Sequence, residues 1–355
     1  IGDYAKAESL FIRALKIREK SPGPNHPDTA LSLNNLAADY IMMGYSGKAE
    51  SLLTRALEIR EKSLGSDHPD TAQSLNNLAS IYHIWKNYAQ AEPHFIRALK
   101  IREKSLGPDH PDTAQSLNNL ARLLVARGNF LNAQPLMKRA EEIDAQMIDQ
   151  IMGFTSEGQK MKYLSTLKGS MESYLSFTAQ HLISNPQARQ DAMDAWLMRK
   201  GVILEAQRRF QEALVYSDNM ESRQVFQQLS EVRTRITHLT FAGLGKEGVE
   251  VYRKRLSELQ TQKENLDARL CKLSEAYAAS GKIAKADTIQ IAKTLPDGSC
   301  LLEFAKVGYF NFNASKGEQM WLPAHYLAFV LHAGQAGNVG LIDLGHADQI
   351  DQAIA

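Results

Sequence analysis

Apolar residues recur at helical spacing over most of the chain. Leu75, Leu78, Ala79 and Tyr82 follow i, i+3, i+4, i+7 and make one apolar stripe. A second stripe follows at Ala91, Phe95, Ala98 and Leu99. It runs into RALKIREKS, whose late Lys and Arg suit a helix C-terminus. LGPDHPD then breaks the pattern. Gly107 fits the position just past a helix end, and Pro108 and Pro111 stand behind it. Pro69 opens the first helix, and Asp70 and Thr71 supply N-terminal capping chemistry.

This two-helix unit is written repeatedly. HPDTALSLNNLA at His26–Ala37 returns as HPDTAQSLNNLA at His68–Ala79 and at His110–Ala121, with starts 42 residues apart. A half unit, Gly2–Lys20, matches Gly44–Lys62. Such a period signals stacked supersecondary units. Ala37, Ala79 and Ala121 recur where paired helices approach closely, as do Ala49, Ala91 and Ala133 on the second helix. Neither helix buries its stripe alone, so neighbouring pairs must stack. The chain opens inside the motif at Ile1 and closes on HADQIDQAIA, which reads as the first turns of a helix. The expectation is a fragment at both ends, silent about any targeting signal.

The unit resembles the tetratricopeptide repeat in its 42-residue, kinesin-light-chain-like form. The residues that carry the resemblance are Leu36-Ala37, Tyr40, Gly44, Ala49 and Ala56, with their equivalents one and two periods on. It covers residues 1–150. Two departures stand out. Lys86 occupies the place where Gly44 and Gly128 make the inter-helix turn, which points to Asn87 as the carrier of the strained backbone. The turn aromatic Tyr45 also sits one place earlier than Tyr88 or Phe130.

The resemblance implies a right-handed α-solenoid with a groove for a protein or peptide ligand. Asn34/Asn35, Asn76/Asn77 and Asn118/Asn119 lie at the margin of the packing stripe and would form a ladder along that groove. Carboxamides both donate and accept, so they suit a peptide backbone or a carboxylate. In related domains the second asparagine clamps bound peptides. The competing reading is that one member of each pair bonds neighbouring helices and keeps the stack in register. His26, His68 and His110 precede Pro-Asp helix starts and are read as loop-packing residues rather than metal ligands.

After about Asp149 the period stops, and GFTSEGQ at Gly153–Gln159 reads as a break. Residues 151–220 form a helical connector. MKYLSTLKGSMESYLSFTAQHLI ends before Asn185-Pro186, and a second helix runs over roughly Gln187–Tyr216. Over 221–281 the seam residues Val225, Leu229, Val232, Ile236 and Leu239 alternate steps of four and three. Beyond the turn Gly243–Gly248 the rhythm returns at Tyr252, Leu256, Leu259, Leu266, Leu270, Leu273 and Tyr277, with Lys263 filling one place. The pattern predicts an antiparallel helical hairpin.

Residues 282–355 change character. Asp287 caps a short helix TIQIAKT, stopped by Leu295-Pro296. CLLEFAKV, YLAFVLH and GLIDLG are strand candidates, Gly308–Pro323 reads as a long loop, and AGQAGN as a hairpin-like turn. YLAFVLH should need partners on both edges and cover on both faces. LPDGSCLLEF, LAFVLH and LIDLGHADQIDQAI resemble the opening of a CHAT domain, the caspase-like α/β module that follows tetratricopeptide repeats in many bacterial proteins. SEGQKMKYLSTLKG and MRKGVILEAQ resemble its linker. The family includes cysteine peptidases with a His–Cys dyad that lies further along the domain, so no catalytic residue is carried over. Cys300 with His325 or His332 offers the elements of a thiol nucleophile, but Cys300 opens a strand and is read as packed and unreactive.

Composition excludes more than it selects. The 41 basic and 40 acidic residues balance, which gives no global pull toward nucleic acid or an anionic membrane. Arg253-Lys254-Arg255 sits beside seam residues and reads as a solvated face. The two cysteines, Cys271 and Cys300, have no metal spacing and suit a reducing, cytoplasmic compartment. No cofactor, metal or catalytic residue is expected within the chain. The expected architecture is mainly α: a solenoid, a connector, a hairpin and a truncated α/β start. The expected function is a partner-binding arm that regulates a CHAT peptidase region in cis, downstream of Ala355. The alternative is a pure adaptor or scaffold, kinesin-light-chain-like.

Overall fold

A computed structural model of the chain describes residues 4–152, 157–215, 220–244, 248–273, 287–314 and 318–355. Among these the chain is mainly α-helical, with one small antiparallel sheet near the C-terminus. It divides into two compact units, Ile1–Leu136 with Asn311–Met320, and Met137–Phe310 with Trp321–Ala355. The first boundary lies inside a helix, at Leu136, and not at the sequence break near 150.

The first unit contains α1 (Tyr4–Lys20), α2 (Pro27–Met42), α3 (Ser46–Leu64), α4 (Pro69–Ile84), α5 (Tyr88–Ser105), α6 (Pro111–Ala126) and the start of α7 (Phe130–Met152). The apolar stripes are buried: Leu36, Ala37 and Tyr40 on α2, and Leu75, Leu78, Ala79 and Tyr82 on α4. Ala30, Leu33, Ala56 and Ile59 close into one cluster with Leu15 and Leu52, tying α1, α2 and α3 together. Ala37, Ala49, Ala79, Ala91, Ala121 and Ala133 are each 0% exposed, so no space is left for a larger side chain. Overpacking such a contact costs about 1–3 kcal/mol.

The helix starts correct one expectation. His26, His68 and His110 are the N-caps, and not Asp70 or Thr71. Each Nδ1 accepts the backbone N–H two residues on, from Asp28 at 3.2 Å, Asp70 at 3.1 Å and Asp112 at 3.0 Å. Proline at the first helical position has no N–H, so the first orphan donor is the next residue's, within reach of an imidazole. The aspartates then place negative charge in the first turn. Thr29, Thr71 and Thr113 close the loops by donating to the Gly23, Gly65 and Gly107 carbonyls at 2.7, 2.9 and 2.9 Å.

The inter-helix turn corrects another. Lys86 itself takes the left-handed backbone, at φ 59°, where Gly44 and Gly128 have φ 80° and 74°. Asn87 stays at φ −84° and caps α5, accepting from the Gln90 N–H at 3.4 Å. The repeat fixes the place of positive φ, and the side chain found there must follow.

The second unit continues α7 and adds α8 (Glu157–His181), α9 (Pro186–Val215), α10 (Met220–Ala242), α11 (Gly248–Leu273), α12 (Thr288–Thr294), β1 (Cys300–Phe310), β2 (Trp321–His332), β3 (Gly340–His346) and α13 (Ala347–Ile354). Helix α8 already runs at Glu157, so the break expected over Gly153–Gln159 is shorter; residues 153–156 lie outside the described residues. Asn185 stands before Pro186, and its Oδ1 accepts from the Ala188 N–H at 3.2 Å at the start of α9. Helices α10 and α11 form the expected hairpin. Val225, Phe226, Leu229 and Leu270 pack with Leu266 and Leu273, and Val232, Ile236 and Leu259 with Leu239, Leu256 and Leu266. Tyr277 lies outside the described residues. Asp287 caps α12, its Oδ1 accepting from the Gln290 N–H at 2.8 Å.

The sheet is an antiparallel meander in the order β1-β2-β3, with Leu301 opposite Leu331 and Phe329 opposite both Glu303 and Leu341. The strands are longer than their sequence pattern suggests, and the loop expected over Gly308–Pro323 is correspondingly shorter. A register shift between Gly308 and Tyr309 leaves Pro323 unpaired, so the ladder continues past a residue with no N–H. Strand β2 is central, with both edges paired. Ala305, Val307, Leu327, Phe329, Leu331 and Leu341 are buried on one face, while Leu302, Phe304 and Ile342 are exposed on the other. Helix α8 meets the end of β1: Ser176 Oγ accepts from the Phe310 N–H, and Gln180 Nε2 donates to the Phe310 carbonyl, both at 3.2 Å. Among the described residues no helix is long and apolar enough to cross a membrane.

Candidate functional site

The paired asparagines sit on the first helix of each unit, and in the first two pairs one member is buried while its neighbour is more exposed. Asn34 and Asn76 are each 4% exposed. Asn34 Nδ2 donates to the Ala30 carbonyl at 3.0 Å and to Ser74 Oγ at 3.2 Å; Asn76 Nδ2 donates to Ser116 Oγ at 3.1 Å. Each thus crosses to the next unit. These two residues therefore hold the stack, and their expected place on a ligand-contacting ladder is corrected: the hydroxyl of the next first helix has taken their donors.

The same hydroxyls receive a second donor. Arg60 Nη1 donates to Ser74 Oγ at 3.0 Å and to the Asp70 carbonyl at 2.6 Å. Arg102 Nη1 does the same with Ser116 Oγ at 3.0 Å and the Asp112 carbonyl at 2.8 Å, and Arg18 Nη1 with Ser32 Oγ and the Asp28 carbonyl. Burial pulls the Arg60 and Arg102 guanidinium groups below their ordinary values, and the charges of Asp70 and Asp112 oppose this. Sequence reasoning assigned these arginines to helix-end charge. The signal that marks them is their unbroken return at every period, beside buried stripe positions.

The second asparagine of each pair remains accessible. Asn35 is exposed, and Asn77 and Asn119 are half-buried. Asn77 Nδ2 also donates to Asn34 Oδ1 at 3.2 Å, which places adjacent first helices side by side. Asn118 is half-buried. One turn before these asparagines stand the exposed Leu31, Gln73 and Gln115, and one turn after them the exposed Ala38 and the half-buried Ser80 and Arg122. The strip is rich in amides and small side chains, with donors and acceptors at regular intervals.

The other candidates resolve differently. The His26, His68 and His110 nitrogens serve as caps, and among the described residues no group of three or more His, Cys, Asp or Glu side chains is arranged to hold a metal ion. Cys300 is exposed, against the expectation of a packed thiol. It lies across the ladder from His332, which is exposed as well. His325 pairs with Val307 further along the ladder, about 23 Å from Cys300 at the usual rise per residue. Its Nδ1 lies 2.9 Å from Asp343 Oδ1, and Tyr309 donates to Asp343 Oδ2 at 2.5 Å. That carboxylate ties together all three strands. Burial raises the Asp343 pKa, but the bonds from Tyr309, the Gly345 N–H and His325 outweigh it and leave the group below its ordinary value.

The tetratricopeptide repeat family matches over residues 1–62, 46–95 and 70–146, so this part of the chain carries tetratricopeptide repeats. Among solved structures, the chain is similar to BtubC (BKLC) from P. vanneervenii, with 25% identity, 61% of this chain and 77% of that chain covered, and a TM-score of 0.41. It is also similar to a Podosopora anserina protein described as kinesin-light-chain-like with nearly identical TPR-like repeats, at 23% identity, 61% and 90% coverage, and a TM-score of 0.38. No curated protein matches the sequence. The family match ends at residue 146, ahead of the C-terminal segment 282–355.

Proposed function

We propose that the repeats bind an extended segment of a partner protein along the strip marked by Asn35, Asn77 and Asn119. The observation that carries this reading is the division within the first two pairs. Asn34 and Asn76 are spent on the stack, while their chain neighbours stay closer to the surface, Asn35 exposed and Asn77 half-buried with one bond to Asn34. Regularly spaced carboxamides suit the regularly spaced N–H and C=O groups of a peptide backbone. Gln73 and Gln115 extend the same chemistry, and Leu31 adds an exposed apolar contact. The finer reading is that this arm regulates a CHAT-type, caspase-like peptidase region in cis. The resemblance of residues 282–355 to the opening of that domain supports it. The described residues are assigned binding and no catalytic step.

The test replaces Asn35, Asn77 and Asn119 together with alanine. Partners crosslinked to the wild-type chain in native lysate are identified by mass spectrometry, and their yields are compared with those for the variant. Helicity is followed by circular dichroism. The expected result is unchanged helicity with loss of specific partners. Unchanged helicity with every partner retained at equal yield would remove the strip as the binding surface.

A further inference from the structure

The second unit buries two carboxylates against one cation. Glu141 and Asp144 are three residues apart on α7 and share a face. Arg199 of α9 reaches both: its Nη2 lies 3.1 Å from Glu141 Oε2 and 3.9 Å from Asp144 Oδ2. The three side chains are only 2%, 6% and 11% exposed in the order Glu141, Asp144, Arg199. Helix α8 closes the third side. Arg199 Nη1 donates to the Leu167 carbonyl at 3.1 Å, and Ser170 Oγ donates to Glu141 Oε1. Tyr163, Leu164, Leu167 and Met198 pack around Ile148 close by, and the Tyr163 ring meets Phe241 of α10 edge-on at 5.9 Å.

The charges do not balance. With both carboxylates ionised the cluster carries one unmatched negative charge in a site that excludes water, the arrangement a folded chain tolerates least. Arg199 Nη2 and Glu141 Oε2 lie 3.1 Å apart without a hydrogen bond between them, and Arg199 Nε has no hydrogen-bond partner among the described residues. Among the described residues, Arg199 is the one cation that acts on Glu141 and Asp144. Lys138 of α7 is paired with Asp191 of α9 at 2.8 Å, and Glu142, Asp191 and Asp194 act with Glu141 on Tyr174 of α8. A proton shared between the two carboxylates removes the excess charge.

We infer that Glu141, Asp144 and Arg199 form a proton-loaded joint between α7, α8 and α9, which holds one proton when packed and loosens when that proton leaves. Burial first, and then the neighbouring Glu141 charge, raise the Asp144 carboxyl to about 7, against the opposing pull of Arg199 and Ser170. Burial likewise raises Glu141, against Arg199 and Ser170. Tyr163 is pushed upward by burial and by the Asp144 charge, so its phenol keeps its proton throughout. A carboxyl whose folded value lies above its unfolded one stabilises fully below the unfolded value. That contribution is lost progressively as pH rises from the unfolded value, and is gone once pH has passed about 7. Helix α7 is also the helix by which the repeats continue into the second unit, so the joint places a response to neutral pH directly after the binding strip in the chain.

The experiment compares the full chain with Asp144→Asn and Glu141→Gln, which mimic the protonated carboxyls. The thermal midpoint is read by circular dichroism from pH 4 to pH 9. Asp144→Asn should come closest to wild type near pH 4 and melt progressively higher as pH rises, the gap reaching its full size of about 3 °C or more near pH 7 and staying level above it. A gap that does not grow between pH 4 and pH 7, or a variant less stable at pH 8.5, would overturn the inference. Side-chain carboxyl NMR on wild type, labelled at aspartate and glutamate, decides the matter even where the variants fold poorly. One carboxyl protonating between pH 6 and pH 8 supports the joint, and none doing so overturns it.

Discussion

Ser116→Ala is the sharpest probe of how the units are joined. The Ser116 hydroxyl accepts from Arg102 Nη1 at 3.0 Å and from Asn76 Nδ2 at 3.1 Å. Ser116 is fully buried, and Arg102 and Asn76 are each 4% exposed, so water does not replace the lost acceptor. Arg102 Nη1 keeps the Asp112 carbonyl at 2.8 Å and Gln115 at 3.3 Å. Its loss therefore falls at the low end for a charged donor, about 2 kcal/mol. The Asn76 amide loses a neutral bond, about 1 kcal/mol. The expected cost of Ser116→Ala is about 3 kcal/mol in all. Asn76→Ala removes only the neutral bond, and it also removes a buried Oδ1 that has no partner. It should cost about 1 kcal/mol. In the double variant no amide is left to orphan, so Ser116→Ala should then cost about 2 kcal/mol, a coupling of about 1 kcal/mol. Asn35→Ala, on the exposed neighbour, should stay within about 0.5 kcal/mol. Urea unfolding followed by far-UV circular dichroism gives these values from the midpoints at a common slope. Additive single costs, or equal costs for Asn35→Ala and Asn76→Ala, would refute the division between stacking and accessible asparagines.

Two further outcomes follow from local geometry. Lys86→Gly should raise stability by about 1 kcal/mol in the same assay, because Lys86 is held at φ 59° where a Cβ is disfavoured; a loss would show that the lysine side chain is needed there. His68→Ala should remove the cap of α4 at a cost of about 1 kcal/mol at pH 8. Burial, with the Arg60 charge, holds His68 below its ordinary value against the pull of Asp70, so the cap's contribution is present above the unfolded value and lost as pH falls through the folded one. The cost of His68→Ala should therefore shrink at pH 5, and an equal cost at both pH values would count against the Nδ1 cap.

Much of the architecture was legible because it is local or periodic. The 42-residue period, the alanine contacts and the alternating seam of the hairpin require only that like residues return at helical spacing. The strand cores were legible for the same reason. Their full extent was not, since a bulge that steps over Pro323 has no local signature. The capping histidines escaped because imidazole is an unusual cap, and Asp70 and Thr71 beside it are the usual ones. The arginine–serine cross-links escaped because their partners lie 14 residues apart in the chain, across a helix boundary.

The sequence by itself determined that identical helical pairs must stack, and that two asparagines stand side by side on each. It held no statement of which one turns inward. Only the packed neighbour decides that, because the serine of the next unit captures one amide and leaves the other at the surface. The same is true of Glu141, Asp144 and Arg199. They are ordinary helix residues when read along the chain. Their charge imbalance exists only once three helices exclude water from the space between them.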